Sequence, residues 1–263
     1  MGIEAHAQLQ LRALPGIGRI EAGADLSRVI ADALARAEIA LRDGDVLTLT
    51  SKIVSRAEGR FVDLGEVEVS AEARSLASEI DKDPRLVEMI LRESERISRK
   101  APGVLIVRHR LGIVSANACI DASNARPGHA PAGSGPWILL LPEAPDRSAQ
   151  RVRAALEAIS GASLGVLITD SLGRPFRRGT VGAAIGVAGL PPLSDYRRRL
   201  DLDGRELEHS VAASADQIAA AADLLAGQAD EARPVIHLRG LSFARSGDGA
   251  GALQRDPEED LYL

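Results

Sequence analysis

The chain has 263 residues, of which 45% are hydrophobic, 26% charged and 2% aromatic, and its formal net charge is −5. This composition is typical of a soluble globular protein, and the few aromatic residues and missing basic stripe argue against nucleic-acid recognition. A single cysteine excludes an intramolecular disulfide and a thiolate metal cage, and no apolar run reaches the roughly 18 residues of a membrane span. We therefore expect a cytoplasmic protein without nucleic-acid or membrane partners, since the N-terminus also lacks the pattern of a signal peptide.

Hydrophobic spacing and capping residues predict the elements of the first half of the chain. Asp25 and Ser70 are suited to cap helices, and Pro84 fits the first position of another. The predicted elements, in chain order, are a helix over 26–41, a strand over 45–54, helices over 70–82 and 84–98, and paired strands over 103–108 and 111–120.

The second half opens with a Gly- and Pro-rich loop over 125–136, which is a candidate subdomain boundary. The elements predicted after it are a strand over 137–141, a helix over 146–161, a strand over 164–170, a glycine-punctuated segment over 179–189 that must bend or approach another backbone, a helix over 211–227, a strand over 234–240 and a loop with an acidic tail over 246–263. Strands and helices do not alternate in regular βαβ units. The pattern therefore predicts an α+β or irregular mixed α/β fold in one domain over 1–263.

Several familiar sites are excluded by their missing motifs. No GxxxxGK[ST] stretch exists, so a P-loop is absent. Gly16 and Gly18 form a GxG, but Glu21 occupies the third glycine's position, which argues against a Rossmann fingerprint. The five histidines are scattered, no GxSxG elbow occurs, and Cys119 lies in an apolar stretch where a small buried side chain is expected rather than a nucleophile.

Two acids remain, and each follows an apolar run: Asp121 in "ANACIDASN" (116–124) and Asp170 in "ITDSLGRPFRRG" (168–179). Carboxylates at strand ends are well placed to bind Mg²⁺ or Mn²⁺. The same sequences are also typical of Asx turns and helix N-caps, and spacing alone favours that interpretation.

Basic and hydroxyl residues near these acids suit a polyanionic ligand. Arg174, Arg177 and Arg178 follow Asp170 and could grip phosphates, although a solvated loop explains them equally well. The stretch "TSKIVSRAEGR" (50–60) reads as a strand in which Ser51 and Ser55 share one face and could line a phosphate site. An exposed edge strand would look the same.

Together these segments resemble one family, the GTP-dependent coenzyme F420:L-glutamate ligases. The resemblance rests on "LPGIGRIEAGADL", "DGDVLTLTSKIVSRAEGR", "ANACIDASN", "GVLITDSLGRPFRRGTVGAAIGVAG", "DLDGRELE", "ADQIAAAADLLAG" and "EEDL", in family order and over nearly the whole chain. It implies an intertwined homodimer, neither Rossmann nor P-loop, with active sites near the subunit interface. It also implies GTP as co-substrate, two divalent ions (Mg²⁺ or Mn²⁺), and K⁺ as a further candidate ion.

The resemblance also implies roles for individual residues. Asp121 and Asp170 would bind metal, while Ser171 and Gln228 would serve a second ion. The residues implied to contact GTP are Leu14, Pro15, Gly16, Ile17, Ser51, Lys52, Arg56, Asn124, Ala226, Gly227, Gln228, Ala229, Asp230, Glu231, Ala232 and Arg233.

Three positions depart from the family pattern. Lys52 stands where a hydroxyl residue is common in archaeal members, and Gln228 stands where glutamate is common, which makes that metal contact neutral. The stretch "QADEARP" (228–234) lacks the glycines often found there.

The implied reaction phosphorylates the terminal carboxylate of a deazaflavin precursor and joins it to L-glutamate, with further γ-linked additions in many members. This chemistry needs positioning and charge neutralisation rather than a cysteine or histidine nucleophile. Two alternatives use the same residues: a two-metal nucleotide phosphohydrolase and a non-catalytic nucleotide-binding dimer.

Overall fold

The computed structural model describes residues 8–259. Residues 1–7 and 260–263 lie outside that range. The first range includes the start of the N-terminal stretch that was considered as a leader, and the second includes the end of the "EEDL" motif and of the acidic tail. The helices are α1 (Leu26–Arg36), α2 (Ser51–Ala57), α3 (Ala71–Ile80), α4 (Pro84–Arg92), α5 (Pro145–Ser160) and α6 (Ser214–Ala226). The strands are β1 (Gln10–Ala13), β2 (Val46–Thr50), β3 (Phe61–Asp63), β4 (Ser94–Ala101), β5 (Val104–His109), β6 (Val114–Ala116), β7 (Trp137–Leu139), β8 (Gly165–Arg174), β9 (Arg177–Ala188), β10 (Ser194–Asp195), β11 (Val211–Ala212) and β12 (Val235–Arg239).

The largest sheet has the strand order β1-β12-β2-β8-β9. Only β2 and β8 run parallel in it, and the other neighbours are antiparallel. Helices cover both faces: Leu47 and Leu49 of β2 share a core with α1 and α5, whereas Val46 shares a second core with α6. This alternation along one strand is the period-two pattern of a strand buried on both faces.

A smaller unit packs beside this sheet. Helices α3 and α4 bury Leu76, Ile80 and Ile90 against Leu105 and Val107 of β5, the central strand of the sheet β4-β5-β6. The two-stranded β3–β7 ribbon contributes a separate apolar cluster, and β10 pairs with β11. Mixed sheets with flanking helices confirm the predicted mixed α+β class. None of the helices in residues 8–259 is long and apolar enough to cross a membrane.

Several predicted elements are confirmed with their caps. Ser70 caps α3 by accepting a hydrogen bond from the Ala73 amide, and Gly161 ends α5 in a left-handed conformation. The stretch 125–136 contains no helix or strand, as expected for a loop; its role as a subdomain boundary stays a prediction. The glycine-rich segment is an unpredicted strand, β9, and the expected close approach is real, because a Cβ on Gly182 would lie 2.6 Å from the Ala219 carbonyl oxygen.

Two predicted helices are longer than the helices in the structure. The helix predicted over 26–41 ends at Arg36, because Glu38 takes a positive φ of 55° and turns Ile39 back toward the core. The helix predicted over 84–98 ends at Arg92, and the following residues form β4. Glu93 marks that end: it is buried and paired with Arg60 and Arg110, so tertiary ion pairs stop the helix there.

The strand predicted over 45–54 was wrong in its second half. Strand β2 ends at Thr50, and Ser51–Ala57 form α2. Ser51 and Ser55 do share a face, but they do so as i and i+4 of a helix and not as alternate residues of a strand. The apolar residues Ile53 and Val54 are adjacent and both buried, which a half-exposed strand would not allow.

Asp170 was also expected to end its strand, and it does not. Strand β8 continues to Arg174 and forms a long hairpin with β9, in which Asp170 pairs with Ala183. What ends near Asp170 is the burial of the strand, since residues 165–168 are buried and the following ones are only half-buried or exposed.

Candidate functional site

A cavity of about 900 Å³ opens where the parallel pairing of β2 and β8 ends. The last paired residues are Thr50 and Thr169, so Ser51 and Asp170 follow side by side. The smaller unit supplies the opposite wall through β6, Ile120 and the residues after β7. The cavity therefore lies between the main sheet and the smaller unit, and its lining comes from distant parts of the sequence.

Asp170 is the acid closest to the main sheet. Its Oδ1 accepts a hydrogen bond of 2.7 Å from the Ser171 amide, and the nearby Ser51 side chain lowers the pKa of the same carboxylate. Burial and, to a smaller extent, the negative charge of Asp121 raise the pKa of Asp170, and the hydrogen bonds and Lys52 oppose them, with a net result of about 6. A carboxylate that senses Asp121 and Lys52 in this way shares one electrostatic environment with them.

Asp121 is fixed by its backbone and by a turn. Its amide donates to the Leu139 carbonyl (3.0 Å) and its carbonyl accepts from the Leu139 amide (2.8 Å). The side-chain Oδ1 accepts from the Ser123 amide (2.7 Å) and the Ser123 hydroxyl (2.8 Å), which is an Asx turn. The turn interpretation is therefore correct for Asp121, and the same turn leaves Oδ2 facing the cavity, where Lys52 Nζ lies 2.7 Å away.

A strained segment precedes Asp121. Asn117, Ala118 and Cys119 have positive φ angles of 50°, 55° and 54°, a left-handed turn that costs about 1–2 kcal/mol for each non-glycine residue. Asn117 helps to hold it by accepting a hydrogen bond from the Leu105 amide, and the Ala118 methyl is fully buried. Strain of this kind is characteristic of functional sites, and here it aims the next residues at the cavity.

Cys119 also lines the cavity, and its chemistry agrees with the sequence-based interpretation. The side chain is half-buried, and burial raises the pKa of its thiol to about 12. A thiol with that pKa carries almost no thiolate at neutral pH. Cys119 is therefore a small packing residue and not a nucleophile.

A second polar group lies on the α6 side of the cavity. The Gln228 Nε2 donates to the Ser171 hydroxyl (3.0 Å) and to Asp223 Oδ1 (2.7 Å), and the Ser171 hydroxyl lies 3.4 Å from the same Asp223 oxygen. Asp223 was missed by sequence reasoning, because an acid in a small-residue helix looks like an ordinary exposed position. Its place one turn before the helix end, next to the Gly227 cap, was the only available signal.

Arg56 is buried and already fully engaged with neighbouring loops. Its Nε donates to the Ile20 carbonyl (2.6 Å), its Nη1 to the Asn124 carbonyl (2.7 Å) and its Nη2 to Glu21 (3.3 Å). Arg56 and Asn124 both line the cavity, but the guanidinium joins the 17–21 and 121–124 segments rather than projecting freely. Glu21 in turn accepts from the Gly128 amide and so anchors the 125–136 loop.

The structure brings most of the predicted nucleotide contacts to the cavity. The predicted residues that line it are Ile17, Ser51, Lys52, Arg56, Asn124, Ala226, Gly227, Gln228, Ala229, Glu231, Ala232 and Arg233. Leu14, Pro15, Gly16 and Asp230 are not part of the lining. Leu14 is a buried core residue, so only its backbone could serve a ligand.

Arg174, Arg177 and Arg178 are not brought to the cavity. They are exposed at the turn of the β8–β9 hairpin, where Arg174 donates to the Arg178 carbonyl (3.2 Å). Their proposed phosphate contact stays a prediction.

The candidate metal ligands Asp121, Asp170, Ser171 and Asp223 offer oxygen atoms to the cavity. Within residues 8–259, no group of three or more His, Cys, Asp or Glu side chains is arranged to hold a metal ion by itself. Two carboxylates on one side, and one carboxylate with a hydroxyl and an amide on the other, are the donor types that Mg²⁺ and Mn²⁺ accept when phosphate or water completes the shell. The chemistry of the residues present fits hard divalent ions that bind together with a phosphate ligand.

Comparison with known proteins gives a consistent result. The sequence model described as F420-0:Gamma-glutamyl ligase matches residues 16–240. The coenzyme F420:L-glutamate ligase of Methanopyrus kandleri is 43% identical over 258 residues, covering 97% of each chain. The protein of the same name from Methanothermobacter thermautotrophicus is 41% identical over 256 residues (97% of this chain, 98% of that protein), and the one from Archaeoglobus fulgidus is 39% identical over 246 residues (94% and 93%). The matched range contains every segment that lines the cavity.

Proposed function

The chain belongs to the F420-0:gamma-glutamyl ligase family, and on that premise we propose that it is a GTP-dependent ligase that joins L-glutamate to a deazaflavin precursor of coenzyme F420. The proposal includes two divalent ions, Mg²⁺ or Mn²⁺, with K⁺ as a further ion. Preference for GTP over ATP comes from the family resemblance, since none of the residues described above reads a guanine edge.

One observation carries the proposal. Asp121 and Asp170 face one cavity, although about fifty residues separate them, and Ser51 and Lys52 of α2 lie between them. The cavity of about 900 Å³ is lined by carboxylates, hydroxyls and an ammonium group. These groups are suited to bind a nucleoside triphosphate with its metal ions.

The residues divide into two metal-holding groups. Asp121 and Asp170 would hold one ion, and Ser171, Asp223 and Gln228 would hold the other. When bound, these ions neutralise the charge that develops on the phosphate oxygens during phosphoryl transfer. The protein fixes these carboxylates beforehand, because Ser123 orients Asp121 and the Ser171 amide orients Asp170.

The proposed reaction has two steps, phosphoryl transfer and amide formation. The carboxylate oxygen of the precursor attacks the γ-phosphorus, the bond to the β–γ bridging oxygen breaks, and GDP leaves. The amine of glutamate then attacks the acyl carbon, a C–N bond forms, and phosphate leaves as the amine loses a proton to solvent. Positioning and electrostatics suffice for both steps, so no nucleophilic side chain is required.

Exposed apolar side chains support the homodimer that forms part of this proposal. Leu200 and Leu202 are 67% and 106% exposed in the segment between β10 and β11, and Val211 of β11 is 45% exposed. Large apolar side chains grouped on one projecting segment are typical of an interface. We assign that interface to a second copy of the chain.

The direct test incubates the purified protein with GTP, Mn²⁺, glutamate and the unglutamylated deazaflavin, followed by mass spectrometry. We expect a mass increase of one or more glutamate residues, lost in Asp121→Asn and retained in Asp32→Asn, whose carboxylate is exposed on α1 away from the cavity. No increase with any deazaflavin acceptor would contradict the proposal. GTP hydrolysis at full rate without the acceptor would favour a phosphohydrolase instead.

A further inference from the structure

Lys52 forms an ion pair with one of the two predicted metal carboxylates. Its Nζ lies 2.7 Å from Asp121 Oδ2 and donates to the Ser123 hydroxyl (3.0 Å) and the Ser123 carbonyl (3.3 Å). The Lys52 and Asp121 side chains are 35% and 32% exposed, and both line the cavity. The ammonium group is therefore seated on three oxygens inside the site and not on the outer surface.

This contact completes the coordination of the Asp121 carboxylate by the protein itself. Oδ1 accepts two hydrogen bonds from Ser123, and Oδ2 faces the lysine. A divalent ion that approaches Oδ2 meets a positive charge already in place. Two cations within about 4 Å repel each other in a partly buried site, so the ion and the ammonium compete for Oδ2.

The two cationic residues of α2 differ in their freedom to move. Arg56 is buried and its guanidinium bonds three separate segments, so it cannot leave without breaking the site. Lys52 has a flexible four-carbon side chain with a compact charge, and its three contacts are to one short turn. Lys52 can therefore release Asp121 at little structural cost.

We propose that Lys52 is an exchangeable counter-cation: it occupies Asp121 in the metal-free site, is displaced when a divalent ion binds, and then contacts the phosphates. The inference rests on the proposed function, since it presumes that Asp121 binds metal. It goes further in assigning two successive positions to one side chain. Lys52 thereby keeps the acid oriented before the ion arrives and makes metal binding and phosphate binding favour each other.

The test measures Mn²⁺ binding without nucleotide, from the electron paramagnetic resonance signal of free hexaaqua Mn²⁺. Lys52→Met keeps the length of the side chain and removes the charge, and we expect it to bind Mn²⁺ up to roughly fivefold more tightly, the size expected for a competing half-exposed ion pair. Lys100→Met is the matched control, because Lys100 forms a similar 2.9 Å ion pair with Glu79 outside the cavity. It should leave Mn²⁺ affinity unchanged.

The second arm measures GTP binding with saturating Mn²⁺. There Lys52→Met should bind the nucleotide more weakly, so the two effects have opposite signs, which a purely structural role of Lys52 would not produce. Unchanged or weaker Mn²⁺ binding by Lys52→Met overturns the inference, as does an absence of Mn²⁺ binding in both proteins. Glutamate transfer is assayed separately, so a failed ligase assay with tighter Mn²⁺ binding would contradict the proposed function and leave the cation exchange supported.

Discussion

Ser51 and Asp170 are neighbours because Thr50 and Thr169 are the last paired residues of two parallel strands. Within residues 8–259 these strands form the only parallel pair of the largest sheet. Ser51, the first residue of α2, follows Thr50, and Asp170 follows Thr169 within β8. The Ser51 hydroxyl therefore lies close enough to the Asp170 carboxylate to lower its pKa. One piece of sheet topology thus places a hydroxyl group beside a half-buried acid in the cavity.

Replacing Asp170 should separate stability from activity. Asp170→Asn removes a charge that burial and Asp121 both disfavour, so we expect the metal-free protein to unfold at a temperature a few degrees higher while glutamate transfer is lost. Differential scanning calorimetry and the mass-spectrometric assay measure the two effects. A variant that is both inactive and clearly less stable would show that Asp170 has a structural role instead.

Gln228→Glu tests whether residue 228 belongs to the proposed second metal site. Gln228 Nε2 donates to Asp223 at 2.7 Å, and the substitution puts two carboxylates in that contact. We expect a lower melting temperature without metal because the like charges repel, and a larger rise on adding Mn²⁺ because the site gains an anionic ligand. Melting temperatures of both proteins, measured with and without Mn²⁺, test this prediction. If the increase produced by Mn²⁺ equals that of the unmodified protein, the second metal site does not include residue 228.

Gly182→Ala tests whether the position of α6 matters for the site. The added methyl would lie 2.6 Å from the Ala219 carbonyl oxygen and 2.8 Å from Asp223 Cβ, so the helix must move away from β9. We expect a loss of about 1–3 kcal/mol of stability, typical of overpacking, and weaker Mn²⁺ binding as Asp223 moves from Ser171. Gly247→Ala is the control, since no heavy atom outside its two chain neighbours lies within 4 Å of its Cβ position. Equal stability of the two variants in urea denaturation would contradict the packing argument.

Glu88 provides a prediction of pH dependence away from the cavity. Hydrogen bonds from Ser70, supported by Arg92, lower the pKa of Glu88 to about 2. A carboxyl group whose folded-state pKa is depressed stabilises the protein above its unfolded pKa, and this contribution is lost as pH falls through the folded value. Glu88→Gln should therefore melt below the unmodified protein at pH 7, with the difference shrinking between about pH 4.5 and pH 2. A difference that does not change with pH would show that packing, not charge, is responsible.

Features that depend on interactions between residues close in the chain could be predicted from the sequence. Ser70 and Gly161 set helix boundaries through hydrogen bonds and φ angles within a few residues of themselves; Ser70 was predicted as a cap, and the predicted helix 146–161 ended at Gly161. The sequence has one cysteine and scattered histidines, so it predicts that any metal ligands are oxygen atoms. The motifs around Asp121 and Asp170 lie in segments that line the cavity.

The other structural features of the site depend on contacts between residues far apart in the sequence. Residues 51–57 carry a pattern compatible with strand or helix, and burial against the core selects the helix. The left-handed turn at 117–119 is unfavourable locally and persists because the buried Ala118 and the Asn117 hydrogen bond hold it. Asp223 and Lys52 acquire their roles only from residues some fifty to seventy positions away, Ser171 and Asp121. No local preference encodes such pairs, because the free energy that forms them comes from packing the sheet, α6 and the smaller unit together.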